Sequence, residues 1–180
     1  MTSSKENSTP KSRITANARN LLPGLRMIIL DVDGVLTDGG MIYGSDASDY
    51  RVFDVYDGYG ISRAIRSDLT VAIISRGKSD AVSARANALG IQEVHQGVTA
   101  KEDVFADLIK KYGIEPAQTC FMGDDEPDLP LLRLVGVGAA PSSAYYTVLR
   151  EVEFITESPG GRGAVRELID AILDAKKSTQ

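Results

Sequence analysis

The run Arg26-Met27-Ile28-Ile29-Leu30-Asp31-Val32-Asp33-Gly34-Val35-Leu36-Thr37-Asp38-Gly39 decides how this chain is organised. Four consecutive apolar residues leading into two acids predict a strand over residues 26–30 that ends at Asp31. On an extended chain, residues two apart face the same side, so Asp31 and Asp33 converge. Carboxylates about 4 Å apart repel by roughly 4 kcal/mol at an effective dielectric near 20, so the pair requires a cation or a proton. A solvated turn also uses Asp and Gly. That simpler reading does not account for the apolar run before the acids.

Outward from this stretch, short apolar runs recur at 71–74, 91–95, 119–122, 137–139 and 153–155. Between them lie segments of helical period: Ile61, Ala64 and Ile65; Val82, Arg85, Ala86 and Leu89; Val104, Phe105, Leu108, Ile109 and Tyr112; Leu168, Ile169, Ile172 and Leu173. Strands alternating with helices predict an α/β fold, a doubly wound and mainly parallel sheet covered on both faces. One stretch departs from the rhythm. Residues 41–43 and 50–53 flank Gly44-Ser45-Asp46-Ala47-Ser48-Asp49, which predicts a small β-hairpin insertion at about 40–54. Residues 1–20, rich in Ser, Thr, Asn and Lys, predict an unstructured tail before a single domain at 21–176.

Composition excludes several classes. The 180 residues are 43% apolar and 25% charged, with a formal net charge of -5. A mildly acidic chain without a basic block argues against nucleic acid or an anionic membrane as partner. No apolar run approaches the roughly 20 residues of a membrane span. The single cysteine, Cys120, excludes an internal disulfide and fits a reducing, cytoplasmic setting.

Three further positions fall where the first acids fall. Ser75 follows the strand at 71–74, Gly123-Asp124-Asp125 follows the strand at 119–122, and Lys101 opens a helix. In open parallel α/β sheets, ligands bind beyond the carboxyl ends of the strands. A hydroxyl, a lysine and two acidic pairs are therefore expected to meet at one edge.

Asp31-Val32-Asp33-Gly34-Val35-Leu36, then Ser75, Lys101 and Gly123-Asp124-Asp125-Glu126-Pro127-Asp128, together resemble the four motifs of the haloacid dehalogenase-like phosphatases. The chain is similar to one branch in particular, the small capless phosphatases of 3-deoxy-D-manno-octulosonate 8-phosphate. Shared with that branch are Leu36-Thr37-Asp38-Gly39, the segment from Phe53 to Ile61, and Gly160-Gly161-Arg162-Gly163-Ala164-Val165-Arg166-Glu167. The resemblance implies catalysis by Asp31 as nucleophile and Asp33 as general acid and base, with Ser75 and Lys101 on the phosphate oxygens. It implies Mg²⁺ held by the carboxylates of Asp31 and Asp124 and the backbone carbonyl of Asp33, with Gly34 and Asp125 in support. Asp125 is expected to orient Lys101 or a metal-bound water.

The match departs at one place: the branch reads Gly-Arg after the motif serine, and this chain reads Arg76-Gly77-Lys78. Arg76 and Lys78 are candidates for the substrate's carboxylate. Arg162 is a third, although a plain glycine-rich turn before the last helix explains its segment equally well. Asp57 is expected to cap the helix that begins beside it. Asp128 is expected to accept backbone hydrogen bonds in the loop after Asp124, and Tyr145 and Tyr146 to pack. Between Asp33 and that helix there is room for a hairpin but not for a cap domain. The branch closes its sites by forming homotetramers, which the apolar hairpin fits. A nine-carbon acid sugar 9-phosphate is the alternative substrate. A catalytically silent scaffold partnering a sugar-nucleotide enzyme is the alternative of another class.

Overall fold

A computed structural model describes residues 13–46 and 48–178. The sheet has the strands β1 (Arg13–Ile14), β2 (Met27–Leu30), β5 (Thr70–Ile74), β6 (Glu93–His95), β7 (Thr119–Met122), β8 (Val137–Ala140) and β9 (Phe154–Ile155), with β3 (Ile42–Tyr43) and β4 (Asp49–Tyr50) forming a separate hairpin. The helices are α1 (Ala16–Leu21), α2 (Val55–Arg66), α3 (Asp80–Leu89), α4 (Lys101–Tyr112), α5 (Leu129–Leu132), α6 (Tyr146–Leu149) and α7 (Ala164–Lys177). In space the strands run β1-β9-β8-β7-β2-β5-β6. All neighbours are parallel except β1, which joins β9 antiparallel.

The residue-by-residue alternation of β2 explains why helices lie on both faces. Ile28 and Leu30 join Ile61, Leu168, Ile169 and Ile172 on one side, packing the sheet against α2 and α7. Met27 and Ile29 join Phe105, Leu108 and Leu131 on the other, against α4 and α5. Because β2 is apolar on both faces it can only be a central strand, and all four of its residues are fully buried. From β2 the chain winds one way through β5 and β6, then returns to wind the other way through β7, β8 and β9. Such a reversal opens a crevice at the carboxyl ends of the central strands, beside β2 and β7.

Two expectations change. Residues 13–20 of the tail expected at 1–20 are ordered, because Arg13 and Ile14 pair with Ile155 and Phe154. Thr15 then caps α1, accepting from the backbone N–H of Ala18 at 3.2 Å, and Ala18 and Leu22 are buried. A two-residue strand and a helix with one buried stripe leave too little periodicity to read from sequence. Residues 1–12 lie outside those described.

Asp57 does not cap its own helix either. Asp54 does, accepting from the N–H groups of Tyr56 (2.6 Å) and Asp57 (3.1 Å). Asp57 is 1% exposed and reaches the start of α7, accepting from Arg166 N at 2.8 Å and Gly163 N at 3.3 Å. It satisfies donors that a helix leaves unpaired in its first turn and clips α2 to α7. Asp57→Ala is expected to lower unfolding free energy by about 2 kcal/mol, the cost of leaving buried donors unmet. Asp57→Asn, which keeps an acceptor oxygen, is expected to lose clearly less; urea titration of both variants measures the difference.

Candidate active site

Asp31 continues β2 by one residue, its N–H donating to Met122 O at 3.0 Å. The chain then folds back on itself, with Val35, Leu36 and Thr37 all donating to Val32 O. Gly34 makes this turn with φ +91°, and a β-carbon there would lie 2.0 Å from Asp124 Oδ2. Only glycine lets the loop after β2 meet the loop after β7 this closely. Gly160 does the same from the far side, since a β-carbon on it would strike Gly34 O at 1.7 Å. The glycine-rich segment therefore braces the Asp31 loop.

These loops border a cleft of about 170 Å³ lined by Asp31, Asp33, Ser75, Arg76, Lys101, Asp124 and Asp125, among others. Asp128 also lines it. The residues expected to meet at one sheet edge do so. Lys101 is 2% exposed, and its ammonium lies 2.8 Å from Asp31 Oδ1 and 2.6 Å from Asp128 Oδ1. Ser75 is buried, its hydroxyl accepting from Gly77 N at 3.2 Å.

The structure corrects one of the two roles expected for Asp125, the orienting of Lys101. Its carboxylate accepts from Glu126 N at 2.8 Å, and Lys101 is instead oriented by Asp128. Asp128 is 2% exposed and fully engaged: Oδ1 takes Lys101, and Oδ2 accepts from Asp124 N at 2.9 Å and Asp125 N at 3.4 Å. The backbone half of that arrangement was expected from sequence. The lysine half was not, and the available signal was the position of Asp128 at the end of the short turn capped by Asp125.

Two substrate candidates do not line the cleft. Lys78 is exposed, and exposed Arg162 pairs with Asp38 at 3.2 Å. Arg76 does line it, at an exposed position. Tyr145 and Tyr146, expected to pack, lie against each other at the surface. Their rings are about half exposed and 4.7 Å apart, and Tyr145 N donates to Asp124 O at 2.8 Å beside the cleft. Sequence reasoning missed Arg51 altogether. This residue just beyond β4 has a side chain only 3% exposed, and its Nε donates to Asp33 Oδ1 at 2.8 Å.

Asp31, Asp124 and Asp128 offer carboxylate oxygens that all lie within 4.8 Å of one another. Asp128 is committed to Lys101 and two N–H groups, which leaves Asp31 and Asp124 to take a cation. Their chemistry asks for one. Burial pushes Asp124 up to about 7, with Asp31, Asp128 and Asp125 adding to the effect. Burial pushes Asp31 up to about 6 against the pull of Lys101. For Lys101 burial works downward, but Asp31 and Asp128 outweigh it and hold the ammonium above its ordinary value. An all-oxygen donor set of this kind suits a hard divalent ion such as Mg²⁺.

A buried carboxylate, a lysine, a hydroxyl and an acidic pair able to take a cation, gathered at a sheet switch point, are the groups that phosphoryl transfer calls for. The chain belongs to the haloacid dehalogenase-like hydrolases, whose family pattern matches residues 66–168. It is 40% identical over 163 residues to the 3-deoxy-D-manno-octulosonate 8-phosphate phosphatase KdsC of Escherichia coli (strain K12), covering 91% of this chain and 85% of that protein. The crystal structure of the 3-deoxy-D-manno-octulosonate 8-phosphate phosphatase from Yersinia pestis superposes with TM-score 0.89 at 36% identity, covering 91% of this chain and 89% of that one. The enzyme of the same name from Moraxella catarrhalis, in complex with a magnesium ion, a phosphate ion and a KDO molecule, has TM-score 0.86 at 35% identity, covering 89% of this chain and 92% of that one.

Asp31 and Asp124 have raised pKa values, so the folded chain keeps protons that the unfolded chain has lost. Metal-free stability accordingly falls as pH rises from about 4 to about 7. A bound cation must displace those protons. Mg²⁺ affinity is thus expected to weaken, and proton release per ion to grow, as pH drops from about 8 to about 6. Calorimetry in buffers of different ionisation enthalpy measures both, and a pH-independent affinity would contradict this electrostatic account.

Proposed function

We propose that this protein is a Mg²⁺-dependent phosphomonoesterase that hydrolyses 3-deoxy-D-manno-octulosonate 8-phosphate to the free sugar acid and inorganic phosphate. The observation that carries the reading is the meeting of Asp31, Lys101 and Asp124 in one cleft, in a chain similar over most of its length to enzymes named for that activity.

In the proposed reaction an Asp31 carboxylate oxygen attacks phosphorus in line while the bond to the sugar oxygen breaks, giving an aspartyl phosphate. Asp33 gives its proton to the departing alkoxide. It then takes a proton from the water that attacks the aspartyl phosphate, and cleavage at phosphorus returns Asp31 as a carboxylate. Lys101, held between Asp31 and Asp128, presents positive charge to the phosphoryl oxygens, and the Ser75 hydroxyl donates a hydrogen bond to one of them. The carboxylates of Asp31 and Asp124, with the backbone carbonyl of Asp33, would hold the divalent ion, which would supply Lewis-acid stabilisation of charge on the transferring group. Arg76 at the rim serves the substrate carboxylate. Phosphate-monoester hydrolysis is so slow without a catalyst that enzymes accelerate it by up to ~10²¹-fold. Positioning combined with several cations is what such an acceleration calls for.

Assembly as a homotetramer belongs to the same proposal. Met41, Ile42, Tyr43, Tyr50, Val52, Val55, Tyr56 and Tyr59 are each at least half exposed on the hairpin and the start of α2. An apolar surface of this kind marks an interaction site, and a two-stranded hairpin is marginal without a partner. The single cysteine, Cys120, fits the cytoplasmic setting that belongs to this reading. Among the described residues no helix is long and apolar enough to cross a membrane.

Asp31→Asn is expected to abolish phosphate release from the eight-carbon substrate, and removal of Mg²⁺ from the unmutated protein to do the same. In a panel of acid-sugar phosphates, kcat/KM should be highest for that compound. A higher value for a nine-carbon 9-phosphate would reassign the substrate, and no metal-dependent turnover of any phosphate would favour the scaffold reading. Light scattering should give four times the chain mass, and Tyr43→Glu should lower that mass without unfolding the chain.

A further inference from the structure

Arg51 stands at the exit of the hairpin, yet its side chain is buried and turns back to Asp33 at the cleft rather than outward with the apolar face. Nε donates to Asp33 Oδ1 at 2.8 Å, and Nη1 lies 2.9 Å from Asp49 Oδ2. Among the described residues it is the one side chain in an ion pair with Asp33, whose own side chain is 30% exposed. The contact is anchored from behind. Asp49 Oδ1 accepts from the Ser79 hydroxyl at 3.3 Å, and Ser79 N donates to Gln96 Oε1 at 2.8 Å. A continuous polar chain therefore ties the loops after β5 and β6, through the base of the hairpin, to the acid that the proposed reaction uses twice.

We infer that Arg51 is a positioning residue for Asp33, its rigid two-armed guanidinium pinning Oδ1 so that Oδ2 faces the departing sugar oxygen. The inference rests on the reading of Asp33 as general acid and base. A carboxylate at the open mouth of a cleft has free side-chain torsions, and misplacement of an acid by a fraction of its hydrogen-bond reach costs rate directly. A planar fork can hold Asp33 and Asp49 at once, whereas a lysine ammonium is a point charge on a flexible stem. The hairpin thereby acquires a second task beside its apolar outer face: it carries the group that aims the acid.

The test uses leaving groups. An alkyl phosphate such as the sugar substrate expels an alkoxide that needs a proton, whereas p-nitrophenyl phosphate expels a phenolate that does not. Because kcat/KM covers binding and the steps up to departure of the leaving group, the ratio of its alkyl to its aryl value reports the acid together with contacts made only to the sugar, and the Asp33→Asn background separates the two. Arg51→Gln is expected to lower that ratio by about 10-fold to 10²-fold, a part of the ~10²-fold to 10⁴-fold that general acid catalysis contributes. Asp33→Asn should lower it further, Arg51→Lys should fall between Arg51→Gln and the unmutated protein, and Arg51→Gln should add nothing in the Asp33→Asn background. Equal losses on both substrates, with the ratio unchanged, would show a merely structural role and overturn the inference. If Asp33→Asn itself leaves the ratio unchanged, the acid assignment falls, and Arg51 with it. If Arg51→Gln proves too unstable, shown by thermal unfolding, Arg51→Lys carries the same comparison.

Discussion

Everything in this protein is arranged around the cost of burying like charges. Asp31, Asp124 and Asp128 stand close together at the end of a sheet that is apolar on both faces. In such surroundings carboxylates repel one another strongly and lose their hydration. Lys101 offsets part of that by bridging Asp31 and Asp128, and the remaining demand for positive charge falls on Asp31 and Asp124. A site left electrostatically incomplete is suited to its task, because a divalent ion and a phosphoryl group complete it together.

The scaffold follows from that demand. Acids can converge only where the chain ends several parallel strands at one edge, and the reversal of winding at β2 and β7 opens the gap they need. Glycines allow the loops to approach: Gly34 yields to Asp124, and Gly160 yields to the Gly34 carbonyl. Asp128 is the junction of the site, since one carboxylate fixes both the lysine and the backbone that presents Asp124. Farther out, Asp57 fastens α7 to α2, so the glycine-rich segment that leads into α7 keeps its place against the Asp31 loop.

The hairpin joins two kinds of surface. Its outward residues are apolar and exposed, while Arg51 and Asp49 turn inward to Asp33 and Ser79. The larger relatives that carry an inserted cap can use it to shut out water. This chain has only a short excursion at the same point of the fold, which brings single side chains to Asp33 and leaves an exposed apolar face that fits the assembly proposed above.

Strong local patterns were readable without coordinates. Strands buried on both faces appear as apolar runs, and helices appear as periodic stripes, so β2, β5, β7, α4 and α7 were anticipated closely. Residues immediately after such strands must lie at the sheet edge, which is why Asp31, Ser75 and Asp124 were placed together correctly. The ordering of residues 13–20 was not readable, because two residues pairing with β9 leave no periodic trace.

Sequence alone therefore determined the layered architecture, the edge that carries the cleft and the acids and lysine that meet there, since each depends on a short-range pattern fixed by the pitch of a strand or helix. Which carboxylate holds which cation was decided only in three dimensions. Asp128 rather than Asp125 takes Lys101, Asp54 rather than Asp57 caps α2, Arg162 turns to Asp38, and Arg51 finds Asp33. The reason is physical: side-chain pairing depends on which loops are pressed together and from what angle, and residues far apart in the chain carry no local signal of where the fold will bring them.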